Sequence, residues 1–219
     1  TWLRRQRQMC IRDSPNTGGM GAYSPAPVVT PEVFDRIMAE VIQPTVEGMA
    51  AEGNPYTGFL YAGLMITPEG TPKVIEYNCR FGDPETQPIM MRMQSDLPTL
   101  CLAAVDQRLN EQSSDWDDRA SVGIVIAAGG YPESYNKGDV ISGLELDTEQ
   151  DSKIFHAGTA SKDGQVVTSG GRVLCATALG KTVTEAQQKA YALAAKVSWN
   201  GCFYRKDIAY RAIERENQS

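Results

Sequence analysis

The 219-residue chain is 42% hydrophobic and 22% charged, enough for one large domain or two small ones around a packed core. A formal net charge of -6 gives no broad positive surface for nucleic acid, so phosphate-bearing partners have to be small molecules held locally. No apolar run approaches a membrane span and the opening residues lack the apolar core of a signal peptide, which predicts a cytoplasmic protein with no membrane partner.

Taken in chain order, residues 1–14 stand apart: Arg4, Arg5, Arg7 and Arg12 fall without a period. That arm admits two readings, a nucleic-acid contact or a cloning or frameshift relic, and it is left out of fold reasoning. Pro15 to Pro27 reads as a loop in which Gly18, Gly19 and Gly21 permit close approaches and their amides could cradle an anion. A helix then opens on Thr30 as cap and Pro31 at its first position, with Val33, Ile37, Val41 and Val46 as the buried side, a kink at Pro44 and an end at Asn54-Pro55. Tyr56 to Ile66 and Lys73 to Cys79 read as antiparallel strands joined by a turn at Thr67-Pro68-Glu69-Gly70.

The second of these strands carries the richest chemistry of the chain, VIEYNCRFGDPETQ from Val74 to Gln87. Side chains alternate along a strand, so Glu76, Asn78 and Arg80 share one face with neighbours about 7 Å apart. A carboxylate and an amide carbonyl suit a hard cation such as magnesium, and a guanidinium one step on could fork onto a phosphate. The plain alternative is an ordinary strand with a solvated polar face, its other face of Ile75, Tyr77 and Cys79 packing inward. Asp83, Glu85, Thr86 and Gln87 follow in a Gly/Pro turn, where sheets present functional groups.

Helical segments follow at Pro88 to Met93 and Leu97 to Leu109, the latter capped by Ser95 with an inner stripe of Leu97, Leu100, Cys101 and Ala104. Met90, Met91 and Met93 read as core fillers rather than a cofactor box. Asn110 to Arg119 is polar and aperiodic and reads as a linker. Beyond it come short β-like runs at Ser121 to Ala128, Asp139 to Ile141, Ile154 to Ala157, Gln165 to Thr168 and Arg172 to Leu179. A helix from Val183 to Val197 closes the pattern, with Thr182 and Glu185 as a capping box and Val183, Ala186, Ala190, Leu193 and Ala194 facing inward. The five cysteines, Cys10, Cys79, Cys101, Cys175 and Cys202, include no C-x-x-C pair and predict reduced thiols, Cys79 packing within its strand. His156, the single histidine, excludes a multi-histidine metal site and reads as structural or peripheral rather than catalytic.

VIEYNCRFGDPETQP, with PNTGGMGAYSP at Pro15 to Pro25 and YTGFLYAGLM at Tyr56 to Met65, closely resembles the phosphoribosylamine-glycine ligase (glycinamide ribonucleotide synthetase) family of ATP-grasp enzymes. The resemblance implies an α+β fold: the second half of an ATP-grasp domain, an antiparallel sheet with helices, at residues 15–109, then the linker 110–119 and a small α+β C-terminal domain at 120–219. It implies a chain resembling the back half of that enzyme, inactive alone and completed by a missing N-terminal half. The reaction implied joins glycine to 5-phosphoribosylamine at the expense of ATP, through a glycyl phosphate, in purine biosynthesis. Glu76 and Asn78 would hold Mg2+ or Mn2+ on the ATP phosphates, Arg80 would stabilise the transferred group, and Asp83, Glu85, Thr86, Gln87, Gly18, Gly19, Gly21 and Ser24 are candidates for the glycine and phosphoribosylamine. Other readings are a non-catalytic subunit that needs a partner chain, another carboxylate-amine ligase of the ATP-grasp group, and a nucleic-acid module built on the arginine arm.

Overall fold

The computed structural model describes residues 17–145 and 151–218, so the arginine arm lies outside the described residues. Two long apolar runs set the architecture. Strands β4 (Ala120–Ala127) and β8 (Arg172–Gly180) pair antiparallel along almost their whole length, and all of their residues but Arg172 are buried. A strand buried on both faces carries a continuous apolar run rather than an alternating one, which is the pattern of both sequences. β1 (Gly21–Ser24) flanks β4 and β5 (Ser152–His156) flanks β8, giving the antiparallel order β1-β4-β8-β5.

Each face of this sheet has its own helix. Val122, Ile124, Ile126, Leu174 and Ala176 meet Ala186, Ala190, Leu193 and Ala194 of the helix Val183–Ala194 in the main core. That helix carries the predicted inner face without change. Its capping box is altered: the Glu185 N–H donates to Thr182 Oγ1 as expected, but the Glu185 carboxylate accepts from the Lys181 N–H. The helix Thr86–Arg92 packs on the opposite face, where Gly123 leaves room; a Cβ there would stand 3.2 Å from Pro88. The final helix, Tyr210–Glu216, returns to the first: Glu216 accepts from the backbone N–H groups of Val183 (2.8 Å) and Thr184 (3.2 Å), two of the donors a helix start leaves unpaired. In the order given by the chain these helices are α5 (Val183–Ala194), α3 (Thr86–Arg92) and α6 (Tyr210–Glu216).

The remaining elements form a looser flank. α1 (Pro31–Ile37) starts on Thr30 with Pro31 at its first position, as predicted. Before Pro44 the helix widens into a π-turn, Met38–Ile42, and resumes as α2 (Gln43–Ala51), so the break expected at Pro44 takes the form of a bulge that absorbs the missing N–H. Gly53, at φ +80°, ends it one residue earlier than Asn54-Pro55, with the Asn54 N–H closing onto Met49 O. Val41 is the only residue of this assembly that is fully buried; Val46 is exposed rather than inward. α4 (Leu97–Val105) is capped by Asp96, not Ser95, whose hydroxyl instead accepts from the Asp115 N–H. Its stripe of Leu97, Leu100, Cys101 and Ala104 lines an open cleft instead of a closed core.

Further corrections concern the strands. The first hairpin strand, β2 (Tyr61–Ile66), begins five residues after Tyr56, because Gly58 turns the chain and the Tyr56 hydroxyl bonds back to Phe59 O. Gly21–Ser24 is a strand, not loop. Residues 139–141 contribute a single bridge, Val140 to Val167, while β6 (Thr159–Lys162) pairs with β7 (Gln165–Thr168) and had no signal of its own. Segment 110–119 is bound back by Asp117 N–H to Arg92 O and a Met93 to Trp116 bridge. Because β1 pairs with β4 and α3 covers β4 and β8, residues on both sides of that segment share one sheet assembly.

Candidate functional site

The hairpin of β2 and β3 (Pro72–Asn78) turns at Thr67 to Gly70, where the Gly70 N–H reaches Thr67 O at φ +74°. Its register places Tyr61 opposite Asn78 and Gly63 opposite Glu76, and directly opposed residues share a face. Gly63 leaves space for it: a Cβ would stand 3.0 Å from Glu76 Cγ and press on that side chain. Asn78 Nδ2 donates to Glu76 Oε1 at 3.3 Å, so the two predicted metal ligands lie side by side. Among the described residues no other side-chain hydrogen bond engages them, and β3 is exposed over Glu76. The opposite face does not pack inward: Ile75 is 54% and Tyr77 41% exposed, and Cys79 is exposed beyond the strand end.

Arg80 has left the strand, which ends at Asn78, and its guanidinium donates to Phe81 O at 2.8 Å. It stays close enough for its charge to act on Tyr61. Tyr61 is a residue the motif reading missed. Its hydroxyl donates to Glu85 Oε1 at 3.4 Å, and burial, then the charges of Glu85 and Glu76, raise its pKa against the opposing pull of Arg80. Only the register could have revealed it, since strand pairing across the Gly63 bulge decides which β2 residue faces Asn78.

The turn after β3 is held by itself and by the large sheet. Glu85 folds over Gly82, where any Cβ would collide with its carboxylate, and the Thr86 hydroxyl donates to Gly82 O at 2.5 Å. Gln87 Oε1 is buried with no hydrogen-bond partner among the described residues. Asp83 is engaged by Arg172 at the start of β8: Nη2 to Asp83 Oδ2 at 2.7 Å and Nη1 to Asp83 O at 2.9 Å. The same Nη1 reaches Gly19 O at 3.1 Å.

The glycine loop is therefore packed against protein. A Cβ on Gly18 would lie 2.8 Å from Arg172 Cζ, and one on Gly19 2.5 Å from Pro84 Cδ. The Gly18 N–H donates to the Tyr131 hydroxyl at 3.0 Å, so that amide is not free to hold an anion. Gly21 sits in β1 against Ile208 and Gly123 O, and the Ser24 hydroxyl accepts from Arg92 at 2.9 Å. The structure thus gathers Glu76, Asn78, Tyr61, Arg80 and Glu85 around the hairpin end, and gathers Gly18, Gly19 and Asp83 around Arg172. Neither Arg172 nor Tyr131 carried a signal in the sequence.

Beside the hairpin end opens a cleft of ≈ 640 Å³ whose wall includes Phe59, Leu97, Leu100 and Leu109 together with Tyr61 and Arg80. Glu76 and Asn78 do not line it, although Tyr61, the strand partner of Asn78, does, and the cleft itself offers mainly apolar contact. Among the described residues no group of three His, Cys, Asp or Glu side chains is arranged to hold a metal ion. The donor set present, one carboxylate and one amide oxygen, fits a magnesium-like ion that draws its other ligands from phosphates and water. No helix of the described residues is long and apolar enough to cross a membrane.

The match to an ATP-grasp (A) domain model and the superposed structures below place this hairpin and mixed helix and sheet unit in the ATP-grasp class of fold. The biotin carboxylase domain of the Hydrogenobacter thermophilus 2-oxoglutarate carboxylase, solved with MgADP and bicarbonate, superposes with TM-score 0.62 over 86% of this chain and 43% of that one, at 16% identity. The model of the phosphoribosylglycinamide synthetase ATP-grasp (A) domain matches residues 7–86, beginning inside the arginine arm, and that of the C domain matches residues 121–211. The chain belongs to the phosphoribosylglycinamide synthetase family. It is 72% identical over 204 residues to the phosphoribosylamine--glycine ligase of Vibrio parahaemolyticus, covering 93% of this chain and 48% of the relative. The crystal structure of phosphoribosylamine--glycine ligase from Thermotoga maritima superposes with TM-score 0.78 at 39% identity, over 89% of this chain and 47% of that one. The chain spans about half the length of the curated relatives it matches.

Proposed function

We propose that this chain furnishes the metal-and-phosphate side of a glycine-activating ligase site that joins glycine to 5-phosphoribosylamine with ATP, giving glycinamide ribonucleotide, ADP and phosphate in cytoplasmic purine biosynthesis. The observation that carries the reading is the juxtaposition of Glu76 and Asn78, 3.3 Å apart on an exposed strand face that ends beside a guanidinium. Making an amide from a carboxylate needs the carboxylate activated as an acyl phosphate, and the demand on the protein is positioning and charge neutralisation rather than a nucleophile. Glu76 and Asn78 would hold Mg2+ or Mn2+, which supplies neutralisation of the ATP phosphates when bound. Arg80, released from Phe81 O, would pair with the transferred phosphoryl group.

Glu85, fixed by Tyr61, supplies a negative charge suited to the ammonium of glycine. Thr86 and the unpartnered Gln87 oxygen, with Asp83, Gly18, Gly19, Gly21 and Ser24, build the turn and loop against which glycine and phosphoribosylamine would lie. The adenine-binding side of the site is assigned to a separate stretch of protein, the N-terminal half present in the relatives. The 219-residue polypeptide is accordingly expected to show no turnover alone.

Co-expression with the upstream half of the Vibrio parahaemolyticus relative, followed by ADP release with glycine and phosphoribosylamine, is expected to restore magnesium-dependent turnover. Glu76→Ala and Asn78→Ala each abolish it while the far-ultraviolet circular dichroism stays unchanged. Magnesium-dependent turnover surviving either substitution would sink the clamp.

A further inference from the structure

Resting on that reading, we infer that Arg172, carried by the C-terminal sheet, is a positioning residue for the reaction: it sets the spacing between the glycine loop and the turn that follows the metal-holding strand. One guanidinium bridges both segments, through Gly19 O on one side and through Asp83 O and Asp83 Oδ2 on the other. A planar fork with donors in fixed directions can hold two loops at a defined separation, which a single ammonium cannot. The glycines are shaped to it, since Gly18 accommodates the guanidinium within 2.8 Å of where a Cβ would be. Arg172 is itself rooted in a rigid element, paired with Ala127 at the end of the fully buried β4. Next to it, Tyr131 lies against Gly171 and takes the Gly18 N–H.

The turn so fixed leads from Arg80 to Glu85, the residue before α3, and so sets where Thr86 and Gln87 enter the helix. Displacement of reacting groups by about 1 Å costs on the order of 100-fold in rate, so a residue that touches no substrate can still govern turnover. The β2–β3 hairpin is held to the helical flank instead, by Arg36 to Glu69 O and Thr71 Oγ1 and by the Thr45–Tyr77 hydroxyl pair, while Arg172 ties the turn before α3 directly to β8.

The test compares Arg172→Ala and Arg172→Lys in the 219-residue chain and in the chain complemented with the upstream half of the Vibrio parahaemolyticus relative. In the chain, amide exchange at Gly18, Gly19, Phe81, Gly82, Asp83 and Glu85 is expected to accelerate at least tenfold, with the thermal midpoint of the sheet unchanged. In the complemented enzyme kcat falls on the order of 100-fold while KM for ATP holds. Lysine recovers little, and millimolar guanidinium restores part of the loss in the alanine variant and none in the lysine variant. Wild-type kcat in Arg172→Ala would overturn the inference, as would a loss that guanidinium leaves untouched and that tracks a lowered thermal midpoint. If Glu76→Ala keeps magnesium-dependent turnover, the functional reading fails separately, and unchanged exchange at Gly18, Phe81, Gly82, Asp83 and Glu85 then overturns the role of Arg172 on its own.

Discussion

β3 and β4 are both strands with apolar residues at most positions, yet β4 is buried throughout and β3 is exposed from Lys73 to Tyr77. The difference lies in company rather than composition. β4 has a strand on each side and a helix on each face, whereas β3 has one partner strand and only sparse contact with α1 and the π-turn. Stability therefore resides in the C-terminal sheet, and the candidate metal ligands ride on a hairpin that contributes little to it. Two-stranded hairpins need further packing to be stable on their own, so this platform depends on its neighbours.

The sharpest way to break that comparison is to truncate one apolar residue in each strand. Ile124→Ala, at a fully buried position of β4, is expected to cost about 2 to 5 kcal/mol in urea unfolding, and Ile75→Ala, on β3, within about 0.5 kcal/mol. Similar losses at the two positions would show the hairpin to be part of the same cooperative core. A smaller effect sharpens the account of the sheet unit. Burial pushes the Glu216 carboxyl up, but the N–H groups of Val183 and Thr184 and the Thr184 hydroxyl outweigh it and leave the pKa lowered. Glu216→Ala should cost about 1 to 2 kcal/mol by uncapping α5, read from the same unfolding curves.

The smallest effect concerns the edge where the two regions meet. The Arg119 guanidinium, followed by its backbone N–H, holds the Asp117 carboxyl down to about 2 from 3.8. A depressed folded-state value means that the stability it adds is present in full above about pH 4 and is lost as pH falls through about 2. Because Arg119 is 36% exposed, solvent screens the pair and its worth at neutral pH is under about 1 kcal/mol. Asp117→Asn should flatten the thermal midpoint between pH 4 and 2 relative to the parent; an unchanged slope would assign acid sensitivity to other carboxylates.

Elements whose signals are local were readable in the sequence. Thr30-Pro31 begins α1, Thr182 begins α5, and the five predicted inward residues of α5 are all buried, because caps and helical period depend on neighbours within a few positions. The Glu76 and Asn78 pair was legible for the same reason, two residues apart on one strand. What escaped depends on distant partners. Ser24 and Gly21 form a strand only because β4 lies beside them, Ile75 and Tyr77 stay exposed because no second layer covers them, and Arg80 turns away where pairing with Tyr61 ends. Arg172 and Tyr61 acquire meaning only once the register and the Gly18 contact are known.

The pairing of Gly21 with Ile124 closes a loop of about a hundred residues. Bringing such remote segments together carries a large entropic cost before any hydrogen bond offsets it, so β1 should be among the later parts of the molecule to take its place. An otherwise formed sheet would wait with one margin of β4 open, and a ribosome-bound nascent chain would hold β1 unpaired until β4 had emerged.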